Sequence, residues 1–151
     1  MKKEFEILKI TRNNILKSVQ DFSNEQLLKI PQGFNNNIVW NLGHILTSSQ
    51  KLTYGLSNLP MRISEDYSSV FGKGTDPGTW SITPDIAKIK EFLVATPLLL
   101  EDDYKKGIFK EYKEYTTSYG FTIGNVEDAI VFCNVHEALH LGVIMSIRKL
   151  L

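Results

Sequence analysis

Two histidines and a glutamate near the end of the chain have the residue types and the spacing that metal chemistry needs. They lie in the stretch His136-Glu137-Ala138-Leu139-His140. Residues four apart on a helix share one face, with Cβ atoms about 6 Å apart, so His136 and His140 could bind one metal ion together. Apolar residues recur at helical spacing on the same face, namely Ala129, Cys133, Val143, Ile147 and Leu150. Hydrogen bonds to neighbouring helices would also satisfy buried imidazoles, but for a pair we favour a metal.

The remaining histidine, His44, lies in a second segment with helical periodicity. The apolar stripe of this segment consists of Ile38, Leu42, Ile45 and Leu52. His44 lies off that stripe, on a more polar face with Trp40, Asn41, Ser48 and Lys51. One interpretation is a solvent-facing histidine. The other is that this face lines a polar cleft with Trp40 as a wall, and the pair on the last helix favours this second interpretation.

A single metal ion held by His44, His136 and His140 would keep an open position for water or substrate, as catalytic sites do. Imidazole ligands accept zinc and nickel, so we expect one of these metals. Such a metal lowers the pKa of a bound water or thiol towards neutrality, which predicts an enzyme acting on a small-molecule substrate. Cys133 falls on the packed apolar face, so any thiol would come from a low-molecular-weight cofactor.

Four helical segments are needed to position these residues. The apolar periodicity predicts helices over 2–22, 37–54, 83–104 and 126–150, with a long connection at 55–81 and a second linker at 105–124. We expect an asparagine among 35–37, Thr83 and Asn125 to cap three of these helices, and Pro97 to kink the third. Arg12 is the one break in the apolar stripe of the first. Because no segment reads as a convincing strand, we expect an all-α four-helix bundle in a single domain, 1–151.

The side chains around this site predict a substrate pocket. Its expected residues are Trp40, Asn41, Ser48, Tyr67, Phe71 and Trp80, with Tyr112 and Tyr115 from the second linker. Anchoring of the loops to the core is the simpler explanation for each loop aromatic taken alone.

Bulk composition excludes several classes of protein. Seventeen basic residues balance seventeen acidic ones among 151 residues, and no basic stripe points to nucleic acid or an anionic membrane. No run approaches 18 apolar residues, so we expect no transmembrane helix, and no apolar run follows the charged start, so we expect no signal peptide. One cysteine fits a reduced, cytoplasmic compartment.

The motif Asn41-Leu42-Gly43-His44, followed by His136-x-x-x-His140-x-Gly142, resembles the DinB-like bundle family over nearly the whole chain. The resemblance implies a metal-binding four-helix bundle that uses these three histidines, and it suggests a homodimer. Some members are thiol-dependent, such as bacillithiol transferases and mycothiol-dependent isomerases; others are described as metal-dependent hydrolases, and many have no assigned reaction. No clear general acid or base accompanies His44, so thiol S-transfer and hydrolysis both stay open, and the resemblance favours thiol transfer because the better-defined members are thiol-dependent.

Two further interpretations compete with this one. His136-Glu137-x-x-His140 also matches the zincin peptidases, in which the glutamate is the general base. However, residues 141–151 contain no further histidine or acidic residue that could be the third ligand. We therefore expect Glu137 to be an ion-pair partner, or a group that orients a ligand, more than a catalytic base. The other alternative is a non-catalytic bundle with a structural metal or none.

Overall fold

The structure, a computed structural model, describes all 151 residues, Met1–Leu151. The chain is mostly helical, with six α-helices and one two-stranded antiparallel sheet. The four long helices are α1 (Lys2–Ser18), α3 (Ile38–Thr53), α5 (Ile86–Lys105) and α6 (Val126–Ile147). The short elements are α2 (Asn24–Leu28), α4 (Tyr67–Phe71), β1 (Tyr115–Thr116) and β2 (Thr122–Ile123), with 3₁₀ turns at Gly55–Ser57, Pro77–Thr79 and Arg148–Leu150.

The four long helices pack in a closed ring around the core. Helix α6 lies against both α1 and α3, and α5 lies against the same two helices from the other side. Leu42 and Ile45 of α3, Leu93 of α5 and Ile144 of α6 are fully buried in the largest apolar cluster. Helices α3 and α6, which carry the histidines, are therefore direct neighbours.

Side-chain caps mark the starts of three of the four long helices, α3, α5 and α6. Asn37 accepts a hydrogen bond from the Trp40 N–H at the start of α3. Asn125 accepts one from the Asp128 N–H at the start of α6. Both caps are as the sequence predicts. The predicted cap of the third long helix is wrong. Asp85, not Thr83, is the N-cap, because its carboxylate accepts the Lys88 N–H at 2.9 Å, and an acidic cap also interacts favourably with the helix dipole.

The break in the apolar stripe of α1 is a buried ion pair. The Arg12 guanidinium donates to both carboxylate oxygens of Glu137 on α6, with Nη2 to Oε1 at 2.8 Å and Nε to Oε2 at 3.0 Å. It also donates to Thr96 Oγ1 at 2.6 Å and to the Leu93 carbonyl at 3.4 Å. Pro97 has no N–H to offer the Leu93 carbonyl four residues earlier, so Arg12 takes the place of that donor. One guanidinium thus joins α1 to α5 and α6.

The segment Val126–Leu150 is long and apolar enough to cross a membrane by length and composition alone, although polar residues interrupt its apolar runs. Core helices of soluble proteins satisfy the same criterion. A third of its most apolar 18-residue stretch is buried against the rest of the chain. Its one buried carboxylate is paired with Arg12, so this helix has its polar partners within the helical ring.

Candidate metal centre

The three histidines of the chain meet between α3 and α6. The ring centroid of His44 lies 5.2 Å from that of His136 and 4.9 Å from that of His140, and the two rings of α6 are 4.6 Å apart. One ring nitrogen from each lies within 4.8 Å of the other two. Small side-chain rotations would therefore let all three nitrogens contact one ion.

Backbone and ring contacts fix the orientation of His44. Its Nδ1 lies 2.8 Å from the carbonyl of Phe71. A carbonyl can only accept, so Nδ1 carries the proton and Nε2 is free to bind a metal. The Trp40 ring stacks on His44 at 4.5 Å, and Ser48 Oγ lies 3.3 Å from Nε2. Gly43 makes room for this arrangement, because a Cβ there would lie 2.3 Å from the Phe71 ring.

A side-chain amide holds His140 in the matching orientation. The Asn41 oxygen Oδ1 lies 2.8 Å from His140 Nδ1. The Asn41 amide nitrogen donates to Asn36 Oδ1 at 3.0 Å and to the Asn37 carbonyl at 2.8 Å, so the oxygen must be the atom that faces the imidazole. Metal-ligating histidines commonly donate their second ring N–H in this way. Nε2 of His140 is left available for a metal.

His136 is held less tightly than the other two. Neither of its ring nitrogens has a hydrogen-bond partner, and its ring stacks beside Phe132 at 6.0 Å. It also borders an open cavity, as His44 does. His136 is therefore the histidine of the three with the most freedom to change its orientation.

Burial keeps the three imidazoles uncharged at neutral pH. Burial lowers the pKa of His136 to about 4, with a further contribution from nearby His44. Burial lowers the pKa of His140 to about 3, helped by the other two histidines. The pKa of His44 is also lowered, chiefly by burial, and Lys51 adds to the effect while the Phe71 carbonyl opposes it. Neutral imidazole is the form that binds a metal, so this donor set fits a divalent transition metal.

A cavity of about 350 Å³ opens beside His44 and His136. Its walls are formed by α3, the residues after α4, the β1–β2 hairpin and Phe132 of α6. Three imidazole ligands leave a coordination position for water or substrate, and the cavity gives small molecules access to it.

Four of the residues expected to line the pocket lie at the site, either at the cavity or against the histidines. Ser48 and Tyr115 border the cavity. Trp40 and Asn41 contact His44 and His140 without bordering it.

The other expected aromatic residues pack elsewhere. Tyr67 and Trp80 flank the Phe71 ring, each with its centroid 5.5 Å away, and the three rings pack on the apolar core. Tyr112 donates its hydroxyl to the Leu52 carbonyl at 2.7 Å. The long connection therefore reaches the site through the backbone carbonyl of Phe71 and not through its rings.

Several residues that line the cavity were not predicted from the sequence. They are Thr47, Leu52, Leu56, Gly72, Lys73, Thr117, Ser118 and Phe132. The position of Lys51 could be inferred from the sequence, because helical spacing puts it on the same face of α3 as His44 and Ser48. Lys73 lies between two glycines in a loop, where no periodicity indicates its direction.

Glu137 is buried on a different side of α6 from the histidines. Both of its carboxylate oxygens accept hydrogen bonds from Arg12, and it does not border the cavity. It is the ion-pair partner that the sequence analysis favoured. A zincin peptidase needs this carboxylate free to activate water, which this arrangement does not provide.

These features define a class of mostly helical protein with a three-histidine cluster compatible with metal binding. The sequence profile of the DinB superfamily matches residues 7–144, a span that includes all three histidines. The chain therefore belongs to the DinB superfamily. None of the curated proteins compared with it matches.

Proposed function

We propose that this chain is a metal-dependent enzyme built on a four-helix bundle. His44, His136 and His140 hold one divalent transition metal, zinc or nickel. The observation that carries the proposal is that His44 and His136 border a cavity of about 350 Å³, which is within the usual size range of small-molecule sites. A structural metal site would have its coordination closed by protein ligands.

The bound metal would supply the chemistry by lowering the pKa of a thiol or a water molecule near the histidines. The chain's own residues position that reaction. The Phe71 carbonyl and Asn41 hold His44 and His140 with Nε2 towards the site. The Ser48 hydroxyl, 3.3 Å from His44 Nε2, is placed to donate a hydrogen bond to a reacting group.

The nucleophile comes from outside the chain. Cys133 is buried in the core, and its burial raises the pKa of the thiol to about 12, with Glu137 adding to the effect. A neutral, inaccessible thiol is a poor nucleophile. A low-molecular-weight thiol or a water molecule must therefore enter through the cavity.

We favour thiol S-transfer over hydrolysis. The cavity is lined by no aspartate or glutamate, and the histidines at its edge are occupied as ligands. A metal-bound water keeps a pKa of about 7, whereas a thiol bound to a divalent metal loses its proton outright, so thiol transfer depends less on a separate general base. The thiol-dependent members of the family support the same preference by analogy.

The homodimer and the cytoplasmic location stay predictions, and a particle of 17.2 kDa in light scattering would refute the dimer.

Metal content tests the first half of the proposal. We expect elemental analysis of protein purified without a metal-affinity tag to give one equivalent of zinc or nickel. His136→Ala and His140→Ala should each lose most of it, and Ser146→Ala, an exposed substitution on the same helix, should keep it. Sub-stoichiometric metal that does not change in the histidine variants would refute the site.

Turnover tests the second half. The metal-loaded protein is assayed with 1-chloro-2,4-dinitrobenzene and a panel of low-molecular-weight thiols, and in parallel with ester and amide substrates. We expect thiol-dependent turnover that is lost in His44→Ala. Ester or amide turnover without any thiol would reverse the ranking of the two reactions. A metal-loaded protein inactive in both panels would favour the non-catalytic alternative.

A further inference from the structure

We propose that the cavity beside the three histidines selects small molecules that carry an anionic group, a carboxylate or a phosphate, and that Lys51 and Lys73 bind this group. The inference deepens the proposed function, and it rests on that function in assuming that the reacting molecule occupies this cavity.

The first observation is an uncompensated positive charge. Lys51 and Lys73 border the cavity, and no acidic side chain does. Neither lysine takes part in an ion pair, so no carboxylate of the chain neutralises either charge. The chain as a whole has zero formal charge, so two unpaired cations at one opening are a local excess. A divalent ion at the histidines would add to it.

The second observation is where the Lys51 ammonium lies. Lys51 follows Ser48 by three residues and His44 by seven, so all three share one face of α3. A Cβ placed on Gly72 would lie 3.9 Å from Lys51 Nζ and 2.4 Å from the Ser68 carbonyl oxygen. The ammonium of Lys51, an exposed residue, therefore lies beside Gly72 at the cavity wall, and the close backbone contact leaves room only for glycine at position 72.

The position of Lys73 follows from the same wall. It comes directly after Gly72 and two residues after Phe71, whose carbonyl holds His44. The loop that orients a metal ligand therefore also places the second cation at the cavity.

The remaining lining complements an anion with an apolar body. Hydroxyl groups that can donate to carboxylate or phosphate oxygens come from Ser48 and Ser118, whereas Thr47 and Thr117 already donate to the carbonyls of Tyr67 and Phe121. Apolar surface comes from Leu52, Leu56, Tyr115 and Phe132. Hydrogen bonds from an ammonium to an anion are about twice as strong as neutral ones. Seven helical residues rise about 10 Å, so the anionic group would lie within about 10 Å of the reacting atom. This distance suits a compact acid or phosphate ester.

A matched pair of thiols tests the inference on the zinc-loaded protein. 3-Mercaptopropionate carries a carboxylate where 2-mercaptoethanol carries a hydroxyl, and calorimetry measures the affinity of each. We expect the acid to bind about tenfold more tightly, as one charge-assisted contact would give. The difference should disappear in Lys51→Gln/Lys73→Gln. It should persist in Lys17→Gln/Lys90→Gln, which removes two lysines that neither border the cavity nor form ion pairs.

A charge reversal gives an independent check. Lys51→Glu/Lys73→Glu should prefer the cationic thiol 2-aminoethanethiol over 3-mercaptopropionate. Equal affinities for the acid and the alcohol in the wild-type protein, or a preference unchanged by either double substitution, would overturn the inference.

The metal-free protein separates this inference from the proposed function. Succinate and inorganic phosphate are titrated into ¹⁵N-labelled metal-free protein, and amide shifts are followed at Gly72 and Ser118. Shifts that vanish in Lys51→Gln/Lys73→Gln support the anion site even if the protein has no activity. A response to only one of the two anions assigns the group as carboxylate or phosphate. No response to either, together with metal-dependent turnover that ignores substrate charge, would overturn the anion site and leave the enzyme proposal intact.

Discussion

Arg12 and Glu137, which are 125 residues apart in the chain, form an ion pair in which neither side chain is more than 2% exposed. Glu137 directly follows His136 and precedes His140 by three residues. The glutamate faces α1 and α5 while the histidines face α3, so the ion pair fixes the rotation of α6 about its axis. The apparent HExxH motif is therefore divided between a structural contact on one side of the helix and the three-histidine cluster on the other.

Removing one partner of this pair should be strongly destabilising. Arg12→Met would leave a buried carboxylate without its cation, and we expect the free energy of unfolding to fall by about 3–5 kcal/mol. Urea denaturation followed by circular dichroism measures the loss. In Arg12→Met/Glu137→Met no charge is left buried, so the double variant should be more stable than either single one. A double variant as unstable as the sum of the two single losses would contradict this account.

Replacing Gly43, which packs against the Phe71 ring, should also be destabilising. In Gly43→Ala the new methyl group would overlap the ring, which lies 2.3 Å from the Cβ position. We expect Phe71 to shift and its carbonyl to move away from His44, which should lower both stability and metal affinity. Urea denaturation and competition with a chromophoric chelator measure these two effects.

Gly142→Ala is the matched control for Gly43→Ala. Gly142 is also inside a helix that carries site histidines, but a Cβ there has no neighbour within 4 Å. Alanine is a better helix former than glycine, so this variant should gain about 0.5–1 kcal/mol and keep its metal. If both variants behaved alike, the packing of Phe71 on Gly43 would not be what holds His44.

The sequence predicts the features that depend on neighbours along the chain. The spacing of four puts His136 and His140 on one face of α6, and Asn125 has the residue type and place of a cap. The start of α5 shows the limit of such reasoning. Thr83 followed by Pro84 fits the rules for a helix start, but Asp85 competes two residues later and provides the cap.

Features that depend on tertiary packing could not be predicted in this way. Arg12 looks like a defect in an apolar stripe until its partner is known. The Phe71 group that matters is a backbone carbonyl, which has no sequence signature. Strands β1 and β2 contain two residues each, too few for an alternating pattern to be recognised.

Stability should depend on pH through Asp103. Burial acts to raise the pKa of this carboxyl, but hydrogen bonds from Arg62 and Tyr54 outweigh it and hold the pKa below its usual value. The distances are 2.6 Å from Arg62 Nη2 and 2.8 Å from the Tyr54 hydroxyl. A pKa that is lower in the folded state gives stability that is present above the unfolded pKa of about 3.9. That stability is lost as the pH falls through the folded value.

We therefore expect the free energy of unfolding to decrease as the pH is lowered from about 5. Asp103→Asn should be less stable at neutral pH and should show a shallower decrease, because it has no carboxylate to protonate. Thermal denaturation at a series of pH values measures both slopes. Glu25→Gln, an exposed change outside this cluster, serves as the control. Parallel slopes in the wild type and Asp103→Asn would rule out Asp103 as the source.

The hydrogen bond between Asn41 and His140 should determine metal affinity. Asn41 is fully buried, and its oxygen fixes the imidazole with Nε2 towards the site. Asn41→Leu keeps a similar volume and removes the acceptor, so we expect metal affinity to fall by about 10–100-fold. Competition with a chromophoric chelator gives the dissociation constant.

Asn134→Leu is the control for Asn41→Leu. The Asn134 side chain, on α6, donates only to the backbone carbonyls of Glu4 and Ile130, so this variant loses buried hydrogen bonds without touching a histidine. Urea denaturation shows whether the two variants are destabilised to a similar extent. A drop in metal affinity in Asn41→Leu alone would then reflect the loss of the acceptor and not a general loosening of the fold. Equal affinities in both variants would show that His140 binds the metal without help from Asn41.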